Sequence, residues 1–404
     1  TSGIGNVAIG YQALDAEDDG DYNTAVGHQA LTAQTGTSGE AGNTALGYRA
    51  GYAITSGLYN VAIGYGALYT DDTCDSTIAI GTSALYSQTV DGTSGNVGVG
   101  NSAGQYNATG TNNTYLGSSA GKGASGESNS NNTAVGSQTL LAITTGNSNT
   151  VVGKEGGVAL QNGAENVIIG ADAGKTATDK SQSVIIGFEA CKDGAFANGT
   201  MAIGYRAGKA MTSGGSNTAV GYQALRDQDA GASNTAIGWH SLIVATGSDA
   251  AENTAVGALA GDALSSGQKN TIVGSEAAAN RLTSGDKNTA IGAETLGKAG
   301  GSNLTGDSNT CLGFQAGVSL AGAAANNTLI GATASVGGTD LATGSNNIII
   351  GSGSGVDDAA SASRIVIGTG LASSAAADTT LYIGDNTNYL QYNYVGGAVT
   401  ISSD

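Results

Sequence analysis

The chain has 404 residues, 68 of them glycine and none proline, with only 11% charged residues and a net charge of −18. This excludes a collagen, which needs proline and a glycine at every third residue, and disfavours a flexible glycine linker, since 40% of the residues are hydrophobic. It also argues against an ordinary helix-rich α/β enzyme, and 32 acidic against 14 basic residues argue against nucleic-acid or anionic-membrane partners.

The three cysteines, Cys74, Cys191 and Cys311, are odd in number and far apart, so no disulfide framework is indicated. No run of 18 apolar residues occurs, and no membrane insertion is expected. The sequence begins at Thr1 inside a repeat, as expected for a piece of a longer protein.

The predicted elements are copies of one unit, read first because self-similarity decides the fold. It runs NVAIGYQAL at Asn6, NTAVGHQAL at Asn23 and NTALGYRAG at Asn43, and returns as NTAVGYQAL at Asn217 and NTAIGWHSL at Asn234. Each copy is anchored on a glycine: Gly10, Gly27, Gly47, then on through Gly221 and Gly238 to Gly384, 22 in all. Twelve of the 21 intervals are 17 residues and the rest span 16 to 21, with the extra residues in the polar stretch. A fixed core with a variable loop follows.

Within a unit, the residue before the glycine is always Ile, Val or Leu, and the residue two before that is Thr, Val, Ile, Leu or Met. Period-two alternation puts these on one face of a short strand and the intervening residue, usually Ala, on the other. The aliphatic face is expected to fill a thin interior, holding about two aliphatic side chains per coil. The Ala face then needs burial by other chains, and a symmetric homo-oligomer follows. The glycine is expected at a tight corner. The next four residues, such as Tyr11-Gln12-Ala13-Leu14, read as a second short strand, followed by a polar turn. Asn stands four before the glycine in 17 of 22 copies and is expected to form a ladder from coil to coil. The fold class is therefore all-β: a parallel β-roll or β-helix solenoid of about 22 short coils, stacked about 4.8 Å apart.

The repeat occupies 1–384. The last stretch, 385–404, leaves the pattern, and Tyr389, Leu390, Tyr392 and Val395 with a turn at Gly396-Gly397 suggest an antiparallel tail.

The NTAIG/NVAIG repeat resembles the head repeats of trimeric autotransporter adhesins and the related repeats of bacteriophage tail fibres. The resemblance covers 6–384. It implies a trimer, and the tail resembles the end of phage fibre shafts that precede an intramolecular chaperone. In that family the chaperone cuts itself off at a Ser-Asp pair, which Ser403-Asp404 matches as a candidate junction. The resemblance thus implies a homotrimeric tail-fibre shaft in a virion, with other tail or fibre proteins as partners and a cell-surface glycan or protein as receptor. The alternative is a bacterial surface adhesin head, extracellular, binding host or matrix. A β-helical polysaccharide lyase or hydrolase would need carboxylates clustered beside a cleft.

No catalytic set, cofactor motif or metal motif is read from the sequence. His28 and His240 occupy positions that are Tyr or Gln in other copies, and the Gly-x-Gly strings lack the lysine of a phosphate loop. The acidic clusters Asp15, Glu17, Asp18, Asp19, Asp21 and Asp71, Asp72, Asp75 do not match a calcium loop and read as solvated turns. Aromatics recur just after the glycine, at Tyr11, Tyr48, Tyr65, Phe188, Tyr205, Tyr222, Trp239 and Phe314. Such a row packs against neighbouring coils or stacks on sugar rings.

Overall fold

The structure is a computed structural model that describes residues 3–35, 39–228, 230–245, 250–297, 303–335, 341–356, 358–373, 380–395 and 398–402. The chain divides into two compact units, Thr1–Thr200 and Met201–Asp404. Both are parallel β-solenoids with a period near 17 residues, and none of the described residues is helical.

In the first unit, eleven repeat strands run from Val7–Ile9 to Val184–Ile186. Each is three residues long and pairs in parallel, in register, with its neighbours, as Thr44, Ala45 and Leu46 do with Val61, Ala62 and Ile63. The second unit repeats this from Met201–Ile203 to Ile348–Ile350 and ends in two longer parallel strands, Ile365–Thr369 and Thr380–Asp385. Such strands are too short to stand alone and hold only because every neighbour repeats them.

The two faces of the strand are the reverse of the expected arrangement. The central residue lies inside: Ala25, Ala45, Ala134 and Ala219 are fully buried. The flanking aliphatics point outward, and Leu46 remains 48% exposed. The reason is space, because the coil is narrow and the backbone crosses it again on the far side. Where a larger central residue enters, the coil makes room elsewhere. Tyr115 is fully buried, and a Cβ on Gly104 would come within 2.6 Å of its ring.

The Tyr11-Gln12-Ala13-Leu14 segment is not a second strand either. It is a succession of turns in which φ is +52° at Gln12 and +55° at Leu14. In later coils the second and fourth residues after the corner glycine, and the fifth before it, take the same left-handed conformation, as Gln29 (+58°), Leu31 (+48°) and Tyr59 (+60°) show. Among the described residues a second parallel strand occurs within the polar stretch, as in Gly20–Asp21 with Gly39–Glu40 and Cys74–Asp75 with Gly92–Thr93, and once at the fourth and fifth residues after the corner, where Gly355–Val356 pairs with Ala372–Ser373.

The fourth residue after the corner is mostly Leu or Gly, and the left-handed backbone explains the choice. Glycine adopts it freely. Leu adopts it at a cost of about 1–3 kcal/mol, which burial of its side chain, about 1.5–3 kcal/mol, offsets. Leu31, Leu85 and Leu225 are fully buried, and each is followed three residues later by a buried glutamine: Gln34, Gln88 and Gln228. Where the position is Gly51, Gly157 or Gly261, a fully buried aliphatic follows instead: Ile54, Leu160 or Leu264. In these coils a large apolar side chain thus enters from either of two places, and the coil of Gly136 uses both, with Leu140 and Ile143 fully buried.

The corner glycine has no substitute. Gly47 has φ of +135°, and a Cβ there would lie 2.7 Å from the carbonyl oxygen of Gly64 in the next coil. The glycines form a column in which each excludes a side chain on the one beneath it.

At the C-terminal end of the second unit, Thr380–Asp385 pairs in parallel with Ile365–Thr369 and antiparallel with Tyr389–Val395, which pairs antiparallel with Ala398–Ser402. Asp385 makes the turn by accepting bonds from the backbone N–H of Thr387 (2.8 Å) and Asn388 (2.7 Å). Gly396-Gly397 and Ser403-Asp404 lie outside the described residues.

Candidate functional site

The asparagines assigned to the repeat line the inside of the corner. Asn23 N–H donates to Asn6 Oδ1 (2.7 Å), Asn43 N–H to Asn23 Oδ1 (3.0 Å) and Asn234 N–H to Asn217 Oδ1 (2.8 Å). The same side chains donate from Nδ2 to a backbone carbonyl of the following coil, as Asn43 does to Gly57 O at 2.7 Å. Each buried amide therefore satisfies backbone groups that the tight turn leaves over; where Thr77 holds the position, Ser94 Oγ accepts from Asn96 N–H instead (3.2 Å). These residues, with Gly10, Gly27, Gly47, Gly221 and Gly238, are framework.

Chemistry that a partner could meet lies on three outward rows. The first is the aliphatic stripe. In the second unit it comprises Thr218, Thr235, Thr254, Thr271 and Thr289 beside Val220, Ile237, Val256, Val273 and Ile291. Leu46, Leu116, Ile237, Ile291 and Leu312 are among its exposed members. No charged residue occupies either column in any copy. Patches of apolar surface this continuous mark association surfaces in soluble proteins.

The second row is the position just after the corner glycine. Tyr11, His28, Tyr48 and Tyr65 form one ladder, with ring centroids 5.1, 5.3 and 4.9 Å apart. Four residues further along the coil, Tyr52, Tyr69 and Tyr86 form another, at 5.1 and 4.8 Å. Tyr205 and Tyr222 stack at 5.0 Å in the second unit, where His240 adds to Tyr222 at 5.7 Å and to Trp239 at 3.8 Å. Burial, then the charge of Arg226, holds His240 below its usual value. Both histidines therefore serve as ladder members.

Between the two tyrosine ladders runs the third row, two residues after the corner. Gln29 Nε2 donates to Gln12 Oε1 (2.8 Å) and Arg49 Nε to Gln29 Oε1 (2.8 Å). The next member is Gly66, so the row is interrupted there by a shallow pocket of about 60 Å³ lined by Tyr48, Arg49, Tyr65, Gly66, Tyr69 and Tyr86, before it resumes at Ser83. The guanidinium lies over Tyr48 (5.1 Å) and Tyr52 (5.2 Å). Sequence reading missed this pocket, although Gly66 among glutamines and an arginine was its signal.

Four members of the acidic clusters hold the backbone of their turns. Glu17 is buried and caps the N–H of Gly20, while Asp21 accepts from Ile4 N–H (2.7 Å) and Asp75 from Leu58 N–H (2.8 Å). Asp71 is fully buried, accepts from Cys74 N–H (3.1 Å), and is pushed above the usual carboxylate value by burial. Cys74, Cys191 and Cys311 are buried and in no disulfide, each thiol raised by burial and, for Cys74, by Asp71.

No family model matches this chain, and no curated protein sequence is significantly similar to it.

Proposed function

We propose that the chain is a structural shaft segment of a self-associating fibre, of the phage tail-fibre type, and that it acts as a homotrimer in the virion. The observation that carries this reading is the uncharged aliphatic and threonine stripe, half-exposed along coil after coil. A surface of that kind in water favours burial against another surface of the same period, and a second copy of this chain has the same period by construction. The Ala face is already closed within the coil, so association falls to the opposite face from the one the sequence led us to expect. The number three is what the resemblance to trimeric adhesin heads and fibre shafts implies. Mechanically, the coils resist bending through inter-coil hydrogen bonds, and a trimer would project three receptor-binding tips at once.

Light scattering on the purified chain tests this. A mass of three chains is expected, and Leu46→Glu with Ile63→Glu should shift it toward one. A monomeric wild type would overturn the reading.

A further inference from the structure

We propose that the pocket at Arg49 and Gly66 binds an acidic sugar, with the carboxylate of a uronic-acid residue on the guanidinium and the sugar ring against the tyrosines. Three observations converge. First, Arg49 carries a charge that no carboxylate neutralises: none of the ion pairs among the described residues includes it. Its Nε is committed to Gln29 and its plane is held by Tyr48 and Tyr52. A guanidinium fixed in this way, with donors remaining, suits the planar two-oxygen geometry of a carboxylate.

Second, the pocket exists because the polar row is interrupted. Gln12 and Gln29 occupy this row at φ of +52° and +58°, and Gly66 has φ of +58°. The same backbone conformation would therefore suit a glutamine at 66, whose Cβ would sit 3.3 Å from the Tyr86 ring, yet the position carries no side chain. Third, the walls are aromatic. The row beside the corner ends at Tyr65, which is 59% exposed and whose successor in the next coil is Thr82. Its ring therefore has an outer side without a stacking partner, and Tyr69 and Tyr86 flank the pocket opposite. Tyrosine rings offer apolar contact to the C–H surface of a pyranose and hydroxyls to its rim. A simple inorganic anion would use the arginine and none of the rings.

This inference goes beyond the fibre reading and does not depend on chain count, because binding is measured on the whole chain in its own association state. Calorimetric titration with a glucuronate-containing disaccharide, its neutral glucose counterpart and acetate is the test. The acidic sugar is expected to bind at least about tenfold more tightly than the neutral one, and to weaken as salt is raised. Arg49→Gln should remove that preference, while Gly66→Gln should weaken both sugars by filling the pocket. Both variants place a residue already used in this row, and unchanged melting would show that they fold. Lys175→Gln, remote from the pocket, should leave binding unchanged. Equal affinity for the acidic and neutral sugars, no binding at millimolar concentration, acetate competing as well as the sugar, or an unaltered preference in Arg49→Gln would each overturn the proposal.

Discussion

Two stretches of the first unit use the same three coil positions for opposite chemistry. Around Gly47 and Gly64 those positions carry stacked tyrosines and one arginine without an acidic partner. Around Gly153 and Gly170 they carry an ionic cluster. Lys175 bridges Glu155 (2.6 Å) and Asp172 (3.0 Å), and Lys192 bridges Asp172 (3.3 Å) and Glu189 (2.7 Å). Beneath both, strand pairing, the glycine column and the asparagine ladder are the same. The coil therefore separates two jobs. Backbone bonds and a narrow interior hold the fold, and the outward positions vary at little cost to it.

If that separation holds, damage to the shared frame should be equal in the two stretches and larger than any change to their surfaces. The largest effect is expected from the corner. Gly64→Ala and Gly153→Ala each put a Cβ against the next coil, 2.7 Å from Gly81 O and 2.5 Å from Gly170 O, on a backbone with φ of +129° and +134°. Each should lose about 2–4 kcal/mol in urea unfolding. A large difference between them would break the comparison.

Next come the asparagines. Asn60 accepts from Thr77 N–H (2.9 Å) and donates to Cys74 O (2.7 Å), and Asn166 does the same with Ser183 N–H (3.1 Å) and Lys180 O (2.7 Å). Replacing either with Ala orphans two buried backbone groups and should cost about 1–3 kcal/mol, again alike in both stretches.

The smallest effects, and the ones that should differ, come from titration. Burial raises Asp71 above its ordinary value near 3.8. Its contribution to stability is therefore full below that pH and is lost as pH rises through the raised native value. Glu155, which hydrogen-bonds Lys175 and then Lys154, lies below its ordinary 4.5, so its contribution is present above that pH and is lost as pH falls through the lowered native value. Melting temperature against pH should accordingly show Asp71→Asn stabilised near neutrality and Glu155→Gln weakened there, the latter only slightly and less so in high salt. The same sign for both would contradict the assignment.

Much of the framework was legible in the sequence. The period, the parallel solenoid, the corner glycine and the asparagine row followed from spacing, because a coil that stacks on its own copy must repeat whatever the backbone needs. The orientation of the strand was not legible. Ile and Val flanking Ala suggest that the large residues face inward, and that rule fails here because the middle residue faces in whether it is Ala45 or Ile168, while Leu31 and Ile54 fill the interior from beyond the corner. The left-handed turns were also hidden, since a side chain rarely advertises its φ. The exchange of Leu with Gly at one position was the available sign.

By itself the sequence determined the repeat and its length, because hydrogen bonding between identical coils enforces identical spacing. Only the tertiary structure decided what each face does, and it also accounts for the absent prolines. Between Asn43 and Tyr59, the amides of Thr44, Gly47, Arg49, Gly51, Thr55 and Tyr59 all donate to neighbouring coils, at 2.8–2.9 Å. Arg49, Gly51 and Tyr59 also have positive φ. Proline lacks the donor and is locked at negative φ, so these turn positions exclude it as the strands do.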